Sequence, residues 1–269
     1  MSDLDPEIRA YYERGGEAER LSGGFPSGPL ELARTKEIIE GHLRDRALTI
    51  LDVGGGPGVY AAWLAEKGHR VTLIEPVELH VEQARAAHGA VRAELGDARS
   101  LAHADASADV VLLLGPLYHL VERPDRAAAL REAARVLRPG GTLFAAAISR
   151  FAALLDILVR LDALHEAGVF ELVERAVTTG VFNGSEAGFF TTAYFHKPPE
   201  LAGEVSDAGF EDVEILQVEG PGFLVSDFAV RWADDARRDA LLRAARLIER
   251  EPDMLGASSH LLAVGHAPA

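Results

Sequence analysis

The chain contains no cysteine. Disulfides, thiolate metal ligands and a cysteine nucleophile are therefore excluded, while the compartment is left open. Basic residues are scarce. Against 42 Asp and Glu there are 27 Lys and Arg, a formal net charge of −15. Nucleic-acid backbones and anionic membrane surfaces are gripped through clustered cations, so neither is an expected partner. No apolar run approaches the roughly 18 residues of a membrane span. The start, Met1-Ser2-Asp3-Leu4-Asp5, is acidic and lacks the apolar core of a secretory signal, which makes a cytoplasmic protein the expectation. No internal repeat is visible. His165 and His196 have no metal-ligand spacing with each other or with an acid, and no metal is expected.

What is present suits an ordinary α/β core. Apolar residues make up 48% of 269 positions, enough for one large domain with an insertion. The centre of the pattern is Ile50-Leu51-Asp52-Val53-Gly54-Gly55-Gly56-Pro57-Gly58-Val59-Tyr60. An apolar run ends in an acid and clustered glycines, and a helical pattern follows. This reads as strand, tight turn, helix, with free N–H groups at the helix start aimed at a ligand. The dinucleotide fingerprint is G-x-G-x-x-G, but Val59 stands where its third glycine would fall. A P-loop is excluded because no Lys-Ser or Lys-Thr follows.

Arg70 to Pro76 reads as a second strand ending in Glu75, about twenty residues past the first glycine, the spacing of an acid that accepts from ribose hydroxyls. Gly96-Asp97-Ala98-Arg99 follows a short extended segment and offers an acceptor oxygen to an exocyclic amine. Asp109 to Leu114 is a continuous apolar run suited to a central parallel strand. It ends in Gly115-Pro116-Leu117-Tyr118-His119, at the rim where open α/β sheets bind ligands. Arg138-Pro139-Gly140-Gly141-Thr142-Leu143 then breaks a helix and opens another strand.

These segments, taken in order, resemble the class I S-adenosylmethionine (SAM)-dependent methyltransferases of the small-molecule branch. The likeness covers about residues 45–150 in detail and 198–266 by element order. It implies an α/β fold: a doubly wound, mostly parallel, seven-stranded Rossmann-like sheet with an N-terminal helical flap and a helical lid insertion. The flap would span 1–48, the SAM-binding core 49–149 and 198–269, and the lid or substrate insertion 150–197. The implied activity is methyl transfer from SAM to N or O of a small-molecule acceptor, leaving S-adenosylhomocysteine. By the same resemblance Asp52 would sit near the amino end of SAM, directly or through a neighbour, and Gly54, Gly55, Gly56 and Gly58 would receive its methionine part with Tyr60 beside them. Glu75 and Pro76 would hold the ribose, and Asp97, Ala98 and Arg99 the adenine. Backbone at Leu114 and Gly115 would lie near the sulfonium. Tyr118 and His119 are the candidates for touching the acceptor, His119 as a general base or as a packing group.

In the N-terminal segment Tyr11 and Arg34 are nominated to cover the cofactor, the guanidinium being suited to a carboxylate. Leu154, Ile157, Leu158, Leu161 and Leu164 predict an amphipathic helix at the start of the insertion. Its later aromatic stretch, from Phe182 to His196, suits a pocket wall or a packing appendage. A monomer or homodimer is expected. Other readings stay open at this point: a SAM-binding protein that transfers no methyl group, a nicotinamide-dependent oxidoreductase sharing the loop and Glu75, and an interaction module using the insertion as its surface.

Overall fold

In the computed structural model residues 4–269 are described; Met1, Ser2 and Asp3, the first three positions of the expected flap and of the acidic N-terminus, lie outside the described residues. Four strands carry the glycine loop and its neighbours: β1 (Thr49–Val53), β2 (Arg70–Glu75), β3 (Arg92–Leu95) and β4 (Ala108–Leu113). β5 (Leu137–Ser149) follows, then two short strands in the insertion, β6 (Val181–Phe182) and β7 (Ala193–His196), and finally β8 (Glu211–Gln217) and β9 (His260–His266). β4 is apolar along nearly its whole length because all six of its residues are buried, with helices above and below.

The main sheet runs β3-β2-β1-β4-β5-β9-β8, parallel except for β9, which is antiparallel to both β5 and β8. That is the expected seven-stranded, mostly parallel sheet. Two extra strands make nine: β7 joins the far end of β5 in parallel, pairing Phe195 with Ile148 and His196 with Ser149, and β6 pairs antiparallel to β7. The insertion is therefore not wholly helical, as the resemblance had implied. The amphipathic stretch at its start is a short helix, Ala152–Leu155, running into a wide π-type turn at Asp156–Leu161. Asp162, left-handed at φ 52°, ends it. The helix Val169–Thr179 completes the insertion's packing around Ile157, Val169 and Val173.

Strand periodicity divides the core into two layers. Leu51, Val53, Val111 and Leu113 face one way, onto Ala129, Leu130, Ala133 and Leu201. Ile50, Val110, Leu112 and Phe144 face the other, onto Ile39, Leu64, Val81 and Ala84. Each such aliphatic side chain contributes roughly 1.5–3 kcal/mol by burial, so a one-residue register slip in β1 or β4 would exchange the two layers. The helix Gly28–His42 packs on the second layer through Ile38 and Ile39. A buried ion pair fastens the insertion side to the core. Glu204 accepts from Nε and Nη2 of Arg126 at 2.8 and 2.7 Å, and the Arg126 guanidinium stacks 3.9 Å from the centre of the Tyr194 ring. No helix among the described residues is long and apolar enough to cross a membrane.

Candidate active site

Strand order reverses between β1 and β4, and the crevice beyond their carboxyl ends is where open α/β sheets hold ligands. A cavity of about 660 Å³ lies there, within the range of about 300–1,000 Å³ typical of small-molecule sites. Its floor is the glycine loop. Gly54 takes φ 71°, and a Cβ at that position would stand 2.7 Å from the Pro116 ring, so the loop fits against the end of β4 only with glycine there. Gly55 and Gly56 line the cavity beside Tyr60. Gly58 does not. It sits beneath the loop at the N-terminus of the helix Val59–Glu66, packed towards Leu73, Ala84 and His88, and its role is close helix–strand approach.

Asp52 does not itself line the cavity. It is fully buried behind Gly55, whose Cβ, had it one, would be 2.5 Å from Asp52 Oδ2. Neither carboxylate oxygen has a hydrogen-bond partner. Burial, reinforced by the nearby Glu75 carboxylate, pushes its pKa up to about 7. An unsatisfied acid under the loop is an electrostatic floor for a cation.

Glu75 ends β2 at the cavity wall, 4% exposed, and accepts from the N–H groups of Gly56 at 3.0 Å and Val77 at 3.1 Å. His80 places Nδ1 3.2 Å from the other side of the same carboxyl. Pro76, Asp97, Ala98 and Arg99 continue the wall, and Leu114 and Gly115 close it from β4. Asp97 is already engaged. It takes Arg99 Nη2 at 2.7 Å, Arg99 Nε at 3.0 Å and the Arg99 backbone N–H at 2.9 Å. Partial burial raises its pKa, but these Arg99 bonds outweigh that and hold it below the usual range, leaving an ionised acceptor at the edge of the cavity.

The far wall carries the aromatic groups. His119 Nε2 lies 2.6 Å from the hydroxyl of Tyr12, and His119 Nδ1 lies 3.4 Å from the carbonyl of Thr192. Burial pushes the imidazole down to about 4, so it is neutral near pH 7. A neutral imidazole bonded in this way has its proton on Nδ1, facing the carbonyl, and its lone pair on Nε2, facing Tyr12. Burial also drives the Tyr12 phenol well above its ordinary pKa. Tyr118 donates to the Leu114 carbonyl at 3.2 Å and packs edge-on to His119.

Two flap nominations fall elsewhere. Arg34 is 1% exposed and pairs with Glu37 and Glu249, clamping the helix Gly28–His42 to the C-terminal region; it does not reach the cavity. Tyr11 points into a second cavity, where it meets Phe190. The flap groups that do face the glycine loop are Tyr12, Glu17 and Arg20. Arg20 donates to Glu17 at 2.7 Å and to both oxygens of Glu31 at 2.7 and 3.0 Å. Nothing in the local sequence distinguishes Arg20 from Arg14 or Arg34; a pair of acids three residues before and eleven after is a weak signal. Glu31, Glu219 and His260 place ligand-type atoms within 4.8 Å of one another. Burial lowers the His260 pKa, but Glu31 and Glu219 outweigh it and raise it to about 9, so His260 and Arg20 supply the cations of that cluster.

The second cavity, of about 720 Å³, lies under the insertion and shares Tyr12, Glu17, Arg20 and Tyr118 with the first as a common wall.

A family model described as a methyltransferase domain matches residues 50–141. The methyltransferase GfsG of Streptomyces halstedii is 32% identical over 235 residues, spanning 79% of this chain and 75% of that one. The chain belongs to the class I SAM-dependent methyltransferases. Another relative, the 27-O-demethylrifamycin SV methyltransferase of Amycolatopsis mediterranei, is 44% identical over 138 residues, 46% of this chain and 50% of that protein. A SAM-dependent methyltransferase structure from Thermotoga maritima superposes with a TM-score of 0.58 over 97% of this chain and 98% of its own, at 18% identity.

SAM is thus the methyltransferase's cofactor, and the residues present fit it. The orphaned Asp52 carboxyl and the Glu17 carboxylate suit its cationic centres, Arg20 its carboxylate, Glu75 its ribose diol and Asp97 its adenine amine. Ile74, Val77 and Leu114 supply apolar surface between them.

Proposed function

We propose that this methyltransferase methylates a hydroxyl oxygen of a small-molecule acceptor bound in the second cavity. The observation that carries the proposal is the Tyr12–His119 pair at the wall between the cavities. An amine acceptor needs no base, whereas a hydroxyl must lose a proton as its oxygen forms the new bond. His119 is neutral, its tautomer is set by Thr192, and its lone pair faces the cavity wall through the Tyr12 phenol.

SAM, when bound, would supply an electrophilic methyl group, with S-adenosylhomocysteine as the leaving group. Tyr12 receives the acceptor's proton as its own passes to His119 Nε2, and the imidazolium, acidic in this buried setting, returns it to solvent. Tyr118 fixes the position of His119 and of the Leu114 backbone. The glycine loop, Glu75, Pro76, Asp97, Ala98 and Arg99 hold the cofactor from below. Residues 4–48 act as its flap, through Tyr12, Glu17 and Arg20, and residues 150–197 cover the acceptor. Alignment and exclusion of water supply most of the rate. The relative acting on 27-O-demethylrifamycin SV also places a methyl group on oxygen, which supports the same chemistry here.

The test is methyl transfer from labelled SAM to panels of hydroxyl and amine acceptors, repeated on His119→Asn and Tyr12→Phe. Hydroxyl acceptors should be methylated, with kcat falling about 10²–10⁴-fold in His119→Asn, the range of a lost general base. SAM affinity should change little. Turnover of amines alone, with kcat unaffected by His119→Asn, would overturn the assignment.

A further inference from the structure

The second cavity also specifies what kind of acceptor it takes. We infer that the acceptor is a largely apolar molecule of polycyclic or macrocyclic size without anionic groups, and not a small phosphorylated base. This deepens the methyl-transfer reading and rests on it.

Size comes first. At about 720 Å³ the second cavity is as large as the one that receives the cofactor, far more than a single ring needs. Its wall is largely apolar, with the half-buried rings of Tyr11, Phe25, Phe189 and Phe190 set in front of the buried Ile148, Ile157, Phe182 and Phe195. A small polar acceptor would leave most of that surface facing water. A rigid, multi-ring acceptor would cover it and lose little conformational entropy.

Charge comes second. Nearly every ionic group that lines the cavity is already matched inside the protein. Glu17 holds Arg20 at 2.7 Å, Asp156 holds Arg160 through two bonds of 2.5 and 2.7 Å, and Glu219 holds His260 at 2.5 Å. The exception is Arg14, which is exposed at the rim and stands 5.9 Å from the centre of the Tyr11 ring. An anionic acceptor would thus enter an apolar chamber with no free cation at its inner end, because Glu17, Glu31 and Glu219 there already share Arg20 and His260. Taking an ion out of water without a partner opposes binding.

Orientation comes third. Tyr12 and Tyr118 line both cavities, so the reactive hydroxyl belongs at that wall. The body of the acceptor extends from there towards Ile157 and Leu161. Leu161 is 40% exposed, so the chamber opens to solvent at that end, and a molecule longer than the cavity can project through it.

The experiment titrates the protein, saturated with S-adenosylhomocysteine, with an uncharged naphthylamine fluorophore. A neutral dihydroxyanthraquinone and ethanolamine phosphate then serve as competitors. Binding of S-adenosylhomocysteine is measured separately by calorimetry on each variant. The fluorophore should bind at micromolar concentration and be displaced by the anthraquinone but not by ethanolamine phosphate. Ala153→Trp, which fills the chamber, should weaken fluorophore binding at least tenfold with S-adenosylhomocysteine affinity unchanged. Phe190→Ser, which makes the wall polar without adding bulk, should weaken it at least threefold and serves if the tryptophan variant does not fold. Displacement by ethanolamine phosphate, or fluorophore binding indifferent to both folded variants, would overturn the inference. Loss of S-adenosylhomocysteine binding in the wild type, with fluorophore binding intact, would instead count against the methyl-transfer reading alone.

Discussion

Asp52 should make the folded protein less stable as pH rises, and Asp52→Asn should remove that effect. The carboxyl is fully buried, lacks a hydrogen-bond partner and lies near Glu75; its folded pKa is about 7, against 3.8 for a free side chain. A raised folded pKa means that the native state keeps a proton the unfolded chain has released. The stability this provides is complete below about pH 4 and is lost as pH rises through about 7. Three pKa units correspond to about 4 kcal/mol over the whole range, and about 3 kcal/mol of this falls between pH 5 and pH 8. Asn has the same shape and does not titrate, and other groups cancel in the comparison. Urea unfolding of both proteins at the two pH values should therefore show the difference between variant and wild type shifting by about 3 kcal/mol in favour of the variant at pH 8. A difference that stays constant within about 0.5 kcal/mol would refute the reasoning. The same variant should bind SAM about tenfold more weakly at pH 8, because it removes the negative charge beneath the glycine loop. Greater stability with weaker binding is the pattern of a strained functional group.

Two further substitutions probe the frame around the site. Gly54→Ala forces a left-handed backbone on a residue with a Cβ and drives that atom to within 2.7 Å of Pro116. It should cost about 1–3 kcal/mol in thermal unfolding and weaken SAM binding at least tenfold by calorimetry; wild-type values for both would show that the loop is not packed against β4. Glu204→Gln leaves the buried Arg126 guanidinium without its charge partner and should cost about 3–5 kcal/mol at pH 7. The Glu204 carboxyl is raised by burial but lowered more strongly by Arg126 and His196, to about 2, so its contribution is complete at neutral pH and is lost progressively as pH falls from about 5 towards 2. Urea unfolding should therefore show the full loss at pH 7 and less than half of it at pH 3.

Elements whose signals are local could be read from the chain. The glycine loop, the acid ending β2, the Gly-Asp turn after β3 and the apolar run of β4 each depend on residues within a few positions of one another. Backbone sterics and side-chain alternation act over that range, so strand, turn and helix follow from composition and spacing. The seven-stranded sheet therefore stands where the resemblance placed it, and Glu75, Asp97, Leu114 and Gly115 line one cavity at its carboxyl edge.

Features made by distant segments could not be read in this way. Tyr11 and Tyr12 are neighbours in the chain, yet one turns into the second cavity and the other reaches His119, 107 positions away. Arg34 and Arg20 are both arginines of the N-terminal segment. Arg34 is taken by Glu249 and Arg20 by Glu17 and Glu31, and only the packing of the helix Gly28–His42 decides which faces the loop. β7 adds to β5 because residues 150–192 fold back and leave Phe195 beside Ile148, a pairing no periodicity encodes. The sequence by itself determined the fold family and the cofactor, because those reside in short-range backbone geometry. Tertiary structure alone decided how deeply Asp52 is buried, which residues of the N-terminal segment line the first cavity, and the size and charge balance of the second, because burial and charge pairing are set by contacts between segments far apart in the chain.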